Sequence, residues 1–137
     1  MKRILLVEDD EKLAASVATL LKANGYDVST VPDAPSCVSA AVRQRPDLLI
    51  LDVSTPSRAG FAVAEKILGL PLAPPVIFMT ACPDDGIEEK ALAMGTSAFF
   101  GKPYEAEDLL AAIRASLEEV GWGRRAAPSS PPPSSPG

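Results

Sequence analysis

The chain has 137 residues, enough for one domain with a buried core, and it is acidic, with a net charge of −5 and a pI near 4.7. No basic patch interleaved with aromatic residues is present, which argues against nonspecific nucleic-acid binding. The absence of histidine and the isolation of the two cysteines, Cys37 and Cys82, argue against a zinc site and favour buried thiols in a reducing compartment.

The N-terminal part of the chain predicts a strand, a helix and a second strand. Residues 4–7 form an apolar run that is followed directly by three acids, Glu8, Asp9 and Asp10. This run is too short for the core of a signal peptide or for a membrane span, so we expect a cytoplasmic protein without a membrane contact. Apolar residues at helical spacing then predict a helix that ends near Asn24, and residues 26–31 predict the second strand.

A second helix is predicted from Pro32 to about Arg43, and its inward-facing residues are expected to be Val38, Ala41 and Val42. Four apolar residues at 48–51 then end abruptly in Asp52. So short an apolar run is typical of a strand that is buried on both faces. Asp52 would lie where this strand leaves the sheet, which is where open α/β folds place their chemistry. Two turn residues follow it, Pro56 and Gly60.

The second half of the chain predicts three more helices and two more strands. The first helix is expected to follow Gly60 and to cover about residues 61–68, and the other two are expected at about residues 83–94 and 105–120. The strands are expected at residues 76–79 and 98–100. Thr80 follows the first of these strands, and Lys102 follows the second.

The alternation of five strands with five helices predicts an α/β fold with a doubly wound parallel sheet and helices on both faces. Right-handed crossovers favour the flavodoxin-like strand order 2-1-3-4-5. We expect this domain to cover residues 1–120. The Gly-, Pro- and Ser-rich composition of residues 121–137 predicts a disordered tail.

Polar residues from distant parts of the chain should meet at one edge of this sheet, because parallel strands end on the same side. They are the three acids after the first strand, together with Asp52, Thr80 and Lys102. Clustered carboxylates repel one another and favour a hard divalent cation such as Mg²⁺. Lys102 and Thr80 are the groups that a phosphoryl group on Asp52 would require, and a carboxylate can accept such a group.

With these residues in place, residues 1–120 resemble the receiver domains of bacterial response regulators, including the chemotaxis receivers, in two-component signalling. The motif residues are the acid pair Asp9-Asp10, Asp52 with Pro56 and Gly60, Thr80-Ala81, Lys102-Pro103 and the aromatic Phe99. Each is common by itself, as a helix cap, a strand-end hydroxyl, a loop lysine or a core aromatic. Their combination in this order on a five-unit βα pattern is specific.

The resemblance implies a phosphorelay function in which Asp52 accepts a phosphoryl group from a sensor histidine kinase or phosphotransfer protein. It implies Mg²⁺ bound by Asp9, Asp10, Asp52 and the backbone carbonyl of Ser54. Thr80 and Phe99 would move on phosphorylation and remodel the face formed by helix 4, strand 5 and helix 5. The family also implies a cis peptide bond between Lys102 and Pro103.

Two positions that tune dephosphorylation in this family are Ser54 and Cys82, two residues beyond Asp52 and Thr80. Neither side chain has an acid or amide to orient an attacking water, so we expect the phosphoryl group to last minutes or longer. Thr55 stands where the family usually has methionine, which predicts a different packing of this loop.

Two other functions remain open from the sequence. One is a module with this fold that binds a partner without phosphorylation, and the other is a Mg²⁺-dependent phosphohydrolase. Hydrolases of that kind favour an acid where Ser54 stands, so we expect no enzyme activity beyond the domain's own phosphorylation and dephosphorylation. If the domain stands alone, its output passes to an unidentified protein, by onward phosphorelay or through a phosphorylation-dependent homodimer, and not directly to nucleic acid.

Overall fold

The computed structural model describes residues 1–53, 58–81 and 85–123. Strands and helices alternate strictly along these residues, as the hydrophobic pattern predicts. The elements are β1 (Arg3–Val7), α1 (Glu11–Ala23), β2 (Asp27–Val31), α2 (Ala34–Gln44), β3 (Leu48–Val53), α3 (Arg58–Leu68), β4 (Val76–Thr80), α4 (Asp85–Ala93), β5 (Ala98–Gly101) and α5 (Ala106–Gly123).

The five strands form one parallel sheet in the order β2-β1-β3-β4-β5, which confirms the predicted topology. The register brings Val7 opposite Leu51 and Val53 opposite Thr80. Thr80 in turn lies opposite Gly101. The carboxyl ends of β1, β3, β4 and β5 therefore meet at one edge of the sheet.

The sheet separates two hydrophobic cores, because successive side chains of a strand point to opposite faces. One core joins alternate residues of the central strands to α2, α3 and α4, including Leu49, Leu51 and Phe78. The other joins the intervening strand residues to α1 and α5, including Leu48, Ile50 and Met79. Since both faces are covered, the central strands read as continuous apolar runs, and Leu48 to Leu51 are all fully buried.

Helix termini follow local side-chain chemistry. Asp10 caps α1 by accepting hydrogen bonds from the backbone amides of Lys12 and Leu13, and Asp33 caps α2 in the same way through Ser36. Beyond α1, Gly25 adopts a φ of 92°, a conformation that glycine reaches without strain and that lets the chain turn into β2.

Three predictions about the helices are wrong in detail. Val42 is 56% exposed, because the buried face of α2 is formed by Cys37, Ala40 and Ala41 and the next position rotates out of the core. Helix α3 begins at Arg58 and includes Gly60, because burial of Phe61 and Ala64 outweighs the helix penalty of about 1 kcal/mol for a glycine.

Helix α5 continues to Gly123, three residues past its predicted end, so the first residues that were assigned to the tail are helical. Residues 124–137, the rest of the predicted tail, lie outside the described part of the chain. Within the described part, no helix is both long enough and apolar enough to cross a membrane.

Candidate functional site

The site is built at the carboxyl edge of the sheet around Asp52, the fifth residue of β3. Asp52 is only 2% exposed, and the four residues that precede it in β3 are all buried. Both carboxylate oxygens are buried, and Oδ2 accepts no hydrogen bond from any residue that the structure describes. A buried carboxylate in this condition is costly unless a charge or a ligand compensates it.

Lys102 supplies the compensating charge. Its Nζ lies 2.9 Å from Oδ1 of Asp52 and 3.2 Å from Oε1 of Glu8. The lysine is positioned by the backbone, since its amide donates a hydrogen bond of 2.9 Å to the carbonyl of Thr80 at the end of β4. Burial lowers the pKa of Lys102, but the carboxylates of Asp52 and Glu8 outweigh burial and hold that pKa above its usual value.

Glu8 is one of the three acids that the sequence pattern placed at this edge, although the family resemblance assigned the metal to Asp9 and Asp10 only. It is 3% exposed, and its Oε2 accepts a hydrogen bond of 3.0 Å from the amide of Asp10. Burial and then the neighbouring Asp52 carboxylate raise the pKa of Glu8 from 4.5 to about 8. The signal was present in the register: Val7 lies opposite Leu51, so Glu8 and Asp52 are the next residues of two adjacent strands.

The two acids of the predicted pair have different surroundings from Glu8. Asp9 and Asp10 are both exposed. Oδ1 of Asp10 is engaged in capping α1, where it accepts hydrogen bonds of 3.0 and 3.1 Å from Lys12 and Leu13. The structure therefore brings Glu8, rather than Asp10, into contact with the lysine of the site.

Two further residues border the site. Thr80 is completely buried at the end of β4, as expected for a residue that follows a buried strand. Tyr104, which the sequence pattern did not single out, packs against Phe100 with its ring centroid 5.8 Å away. Burial and the charge of Asp52 raise the pKa of Tyr104, which places its phenol in the electrostatic field of the site.

Phe99 is partly buried and belongs to a stack of three aromatic rings. Its ring lies 6.0 Å from that of Phe78 in β4, and Phe78 lies 5.1 Å from Phe61 in α3. Nζ of Lys90 in α4 lies 4.6 Å from the centroid of Phe61, within range of a cation–π contact. Phe99, which was predicted to move on phosphorylation, is thus linked to α3 by the ring stack and to α4 by the contact between Phe61 and Lys90.

Several predicted site residues lie outside the described residues: Ser54, Thr55, Pro56 and Cys82. Ala81 follows β4 and is exposed. The peptide bond between Lys102 and Pro103 is cis, as the family resemblance implied.

Glu8 and Asp52 are suited to a hard cation, because both offer carboxylate oxygens and Oδ2 of Asp52 lacks a hydrogen-bond donor among the described residues. Within residues 1–53, 58–81 and 85–123, no cluster of three or more acidic, histidine or cysteine side chains is arranged to hold a metal. Mg²⁺ in proteins is commonly bound by one or two carboxylates together with water, so the donors present fit that ion.

Comparison with known proteins agrees with this geometry. The family model described as the response regulator receiver domain matches residues 4–114. The "Probable transcriptional regulatory protein TcrX" of Mycobacterium tuberculosis is 33% identical over 120 residues, which are 86% of this chain and 50% of that protein. The chain therefore spans about half the length of the curated relatives that it matches.

Solved structures resemble the chain over most of its length. A CheY-like receiver domain protein from Methanospirillum hungatei matches with a TM-score of 0.81 and 27% identity, covering 88% of this chain and 97% of that one. The BeF3-activated N-terminal receiver domain of Klebsiella pneumoniae RstA matches with a TM-score of 0.77 and 28% identity, covering 84% and 97% of the two chains.

Proposed function

The chain belongs to the response regulator receiver domain family, and from this we propose that Asp52 is its phosphoryl acceptor and that the donor is the phosphohistidine of a sensor kinase or phosphotransfer protein. The observation that carries the proposal is the buried Asp52 carboxylate, whose Oδ1 lies 2.9 Å from Nζ of Lys102 and whose Oδ2 lacks a hydrogen-bond donor among the described residues. Such a carboxylate has an oxygen available for attack and a cation beside it.

In the proposed reaction, an oxygen of Asp52 attacks the phosphorus of the phosphohistidine. The new P–O bond forms as the P–N bond breaks, and the electron pair of that bond returns to the imidazole of the partner. Negative charge on the phosphoryl oxygens is then balanced by the ammonium of Lys102, while the Thr80 hydroxyl donates a hydrogen bond to them. Lys102 needs only a small displacement, because it already contacts Asp52.

We propose that Mg²⁺ is held by Asp52 and Asp9, with Glu8 close by and the backbone carbonyl of Ser54 as a further ligand. When bound, the ion neutralises charge on the carboxylates and on the incoming phosphoryl group. Asp10 was expected from the family resemblance to share this role. Its use as the cap of α1 favours Glu8 as the second acid of the pair.

The output of the domain is proposed to pass through α4, β5 and α5. Movement of Thr80 toward the phosphoryl group would leave space that Phe99 can fill, and the stack of Phe99 on Phe78 and Phe61 would transmit that change to α3 and α4. The target is proposed to be another protein or a second copy of the chain. Receiver domains are signalling proteins and not conventional enzymes, and we propose that this one acts in the cytoplasm.

The proposal is tested by incubating the protein with acetyl phosphate and Mg²⁺ and measuring a mass increase of one phosphoryl group. We expect labelling of the native chain, loss of labelling with EDTA, and no labelling of Asp52→Asn. Labelling that persists in Asp52→Asn would place the acceptor elsewhere. No labelling of any form, with beryllofluoride also failing to bind, would instead support a partner-binding module that does not use phosphorylation.

A further inference from the structure

A groove of about 550 Å³ runs between α1 and β2, the strand at one edge of the sheet. On the strand side it is lined by Val28 and Thr30, and Val28 packs into the core beneath α1. On the helix side it extends along α1 from Glu11 in the first turn to Lys22 in the last. The groove therefore combines the edge of a sheet with one side of a helix.

The edge of β2 presents unpaired backbone groups to this groove. The amide of Asp27 and the carbonyl of Val31 form hydrogen bonds of 2.9 and 3.1 Å with the β1 side of the sheet, so the odd-numbered residues of β2 face β1. The N–H and C=O groups of Val28 and Thr30 then point outward, because neighbouring residues of a parallel strand alternate in direction. No strand in the described part of the chain pairs with them. An edge of this kind can pair with a further strand.

The outward groups of β2 are complementary to those of a second β2. If two copies of the strand pair antiparallel about Ser29, Val28 of each copy lies opposite Thr30 of the other. In this register each outward N–H meets an outward C=O, so all of these groups are paired. The strand reads Asp-Val-Ser-Thr-Val and has none of the lysines or prolines that commonly prevent pairing at an edge.

The helix side of the groove has the same two-fold character. Its residues have charged side chains at the two ends and small side chains between them: Glu11, Ala14, Ala15, Ala18, Thr19 and Lys22. When two copies of α1 run in opposite directions, the glutamate of each meets the lysine of the other, and small residues meet in the middle. Opposite charges at the two ends of the groove thus favour an antiparallel copy of the same chain as its occupant.

The two charges are available for such a contact. Glu11 and Lys22 suit the dipole of α1, but a dipole does not determine which side of the helix they occupy. They lie about three turns apart, which brings both to the side that borders the groove. Both are exposed, and neither forms an ion pair with any residue that the structure describes.

The expected spacing between two copies also fits. Helix α1 packs over β1 and β2. Two β2 strands that pair at their edges lie about 4.8 Å apart, which would place two helices centred over the β1–β2 pairs about 10 Å apart. Packed helices are commonly separated by about 8–10 Å. The small side chains of Ala15, Ala18 and Thr19 permit this approach without a clash.

We propose that two copies of the chain associate across this groove, with β2 paired antiparallel to β2 of the other copy about Ser29 and with Glu11 of each copy paired to Lys22 of the other. The two sheets would become one continuous sheet. None of these pairs involves Asp52, Thr80 or Lys102, so the association is expected of the unphosphorylated chain. The face at α4, β5 and α5 remains free to report the state of Asp52.

Sedimentation velocity of the full chain in EDTA, without a phosphodonor, tests the association. We expect a reversible dimer, and we expect the amide hydrogens of Val28 and Thr30 to exchange more slowly as the protein concentration rises. A chain that stays monomeric at every concentration would overturn the proposal. So would a dimer whose concentration-dependent protection lies in α4, β5 and α5.

Charge reversal tests the orientation of the two copies. Lys22→Glu and Glu11→Lys should each raise the dissociation constant of the dimer about tenfold, because each homodimer then has like charges at both ends of the groove. An equal mixture of the two variants should recover the native affinity, since the acidic ends of one face the basic ends of the other. Lys12→Glu is the matched control, because it makes the same charge change in α1 outside the groove. A mixture that associates no better than its components contradicts the antiparallel arrangement.

A proline tests the strand pairing. Thr30→Pro removes an N–H that points to the open edge, so the folded monomer loses no hydrogen bond of its sheet. We expect the dimer to be lost and the melting temperature of the dilute protein to change little. A folded Thr30→Pro chain that still dimerises would exclude β2 as the contact, and if this variant does not fold, the mixture of charge variants decides. A chain that dimerises as expected but is not labelled by acetyl phosphate would fail only the proposed function.

Discussion

Oε1 of Glu8 and Nζ of Lys102 lie 3.2 Å apart, although 94 residues separate them in the chain. The same ammonium lies 2.9 Å from Asp52, so one cation serves two buried carboxylates. Burial of Glu8 and then the neighbouring Asp52 carboxylate raise the pKa of Glu8 to about 8, because both disfavour a second anion at this position. The charges of these three residues set the first two predictions.

Removing the ammonium should destabilise the protein. We expect Lys102→Met to lower the free energy of unfolding by about 2–3 kcal/mol, because the Asp52 carboxylate is left buried without a compensating charge. Urea denaturation at neutral pH in EDTA measures this loss. The double variant Asp52→Asn with Lys102→Met should regain most of the stability, since no ionised group is then left unpaired. A double variant no more stable than Lys102→Met would contradict this origin of the effect.

Stability without Mg²⁺ should fall as the pH rises. The pKa of Glu8 is about 8 in the folded protein and near 4.5 when the chain is unfolded, so the folded state holds a proton that the unfolded state releases between these values. The stabilisation is complete below about pH 4.5 and is lost as the pH passes through about 8. Urea denaturation from pH 5 to 9 in EDTA should show this decline, and Glu8→Gln should flatten it.

Binding of Mg²⁺ should distinguish Asp9 from Asp10. We expect Asp9→Ala to weaken Mg²⁺ by about tenfold or more, because it removes a proposed ligand. Asp10→Ala should change the affinity little and should instead cost about 1 kcal/mol of stability through loss of the α1 cap. Calorimetric titration with Mg²⁺ measures the first effect and urea denaturation the second. Equal losses of Mg²⁺ affinity in the two variants would restore Asp10 to the metal site.

The ring stack should couple Phe99 to the helices on its face of the sheet. We expect Phe78→Leu to leave phosphorylation of Asp52 intact, because Phe78 is not one of the charged residues that surround the carboxylate, but to reduce the changes that beryllofluoride causes in α3 and α4. Amide ¹⁵N shifts of Lys90 and its neighbours provide the measurement. Phe100→Leu is the matched control, since Phe100 packs against the opposite core. An undiminished response in Phe78→Leu would exclude the stack as the route.

The sequence predicted the sheet well because burial on both faces leaves a simple local pattern. Residues 48–51 are continuously apolar because β3 is the central strand and is buried on both faces. The acids, the threonine and the lysine at the ends of the strands lie at one edge of the sheet, as the parallel topology predicts. It predicted the α2 face less well. Val42 lies only one helical step from the buried Ala41, and apolar character alone does not say where a helix surface meets the core.

What the sequence determined by itself is the identity of the elements, their order in the sheet and the convergence of Asp52, Thr80 and Lys102, because periodicity and parallel topology are properties of the chain pattern. Only the tertiary structure decided which acid reaches the lysine. Glu8, Asp9 and Asp10 are three consecutive acidic residues, and the sequence does not distinguish their roles. The register of β1 against β3 buries Glu8 beside Asp52, and Asp10 is the N-cap of α1. Distances of a few ångströms between distant residues set the charge and the pKa of the site, and no local pattern encodes them.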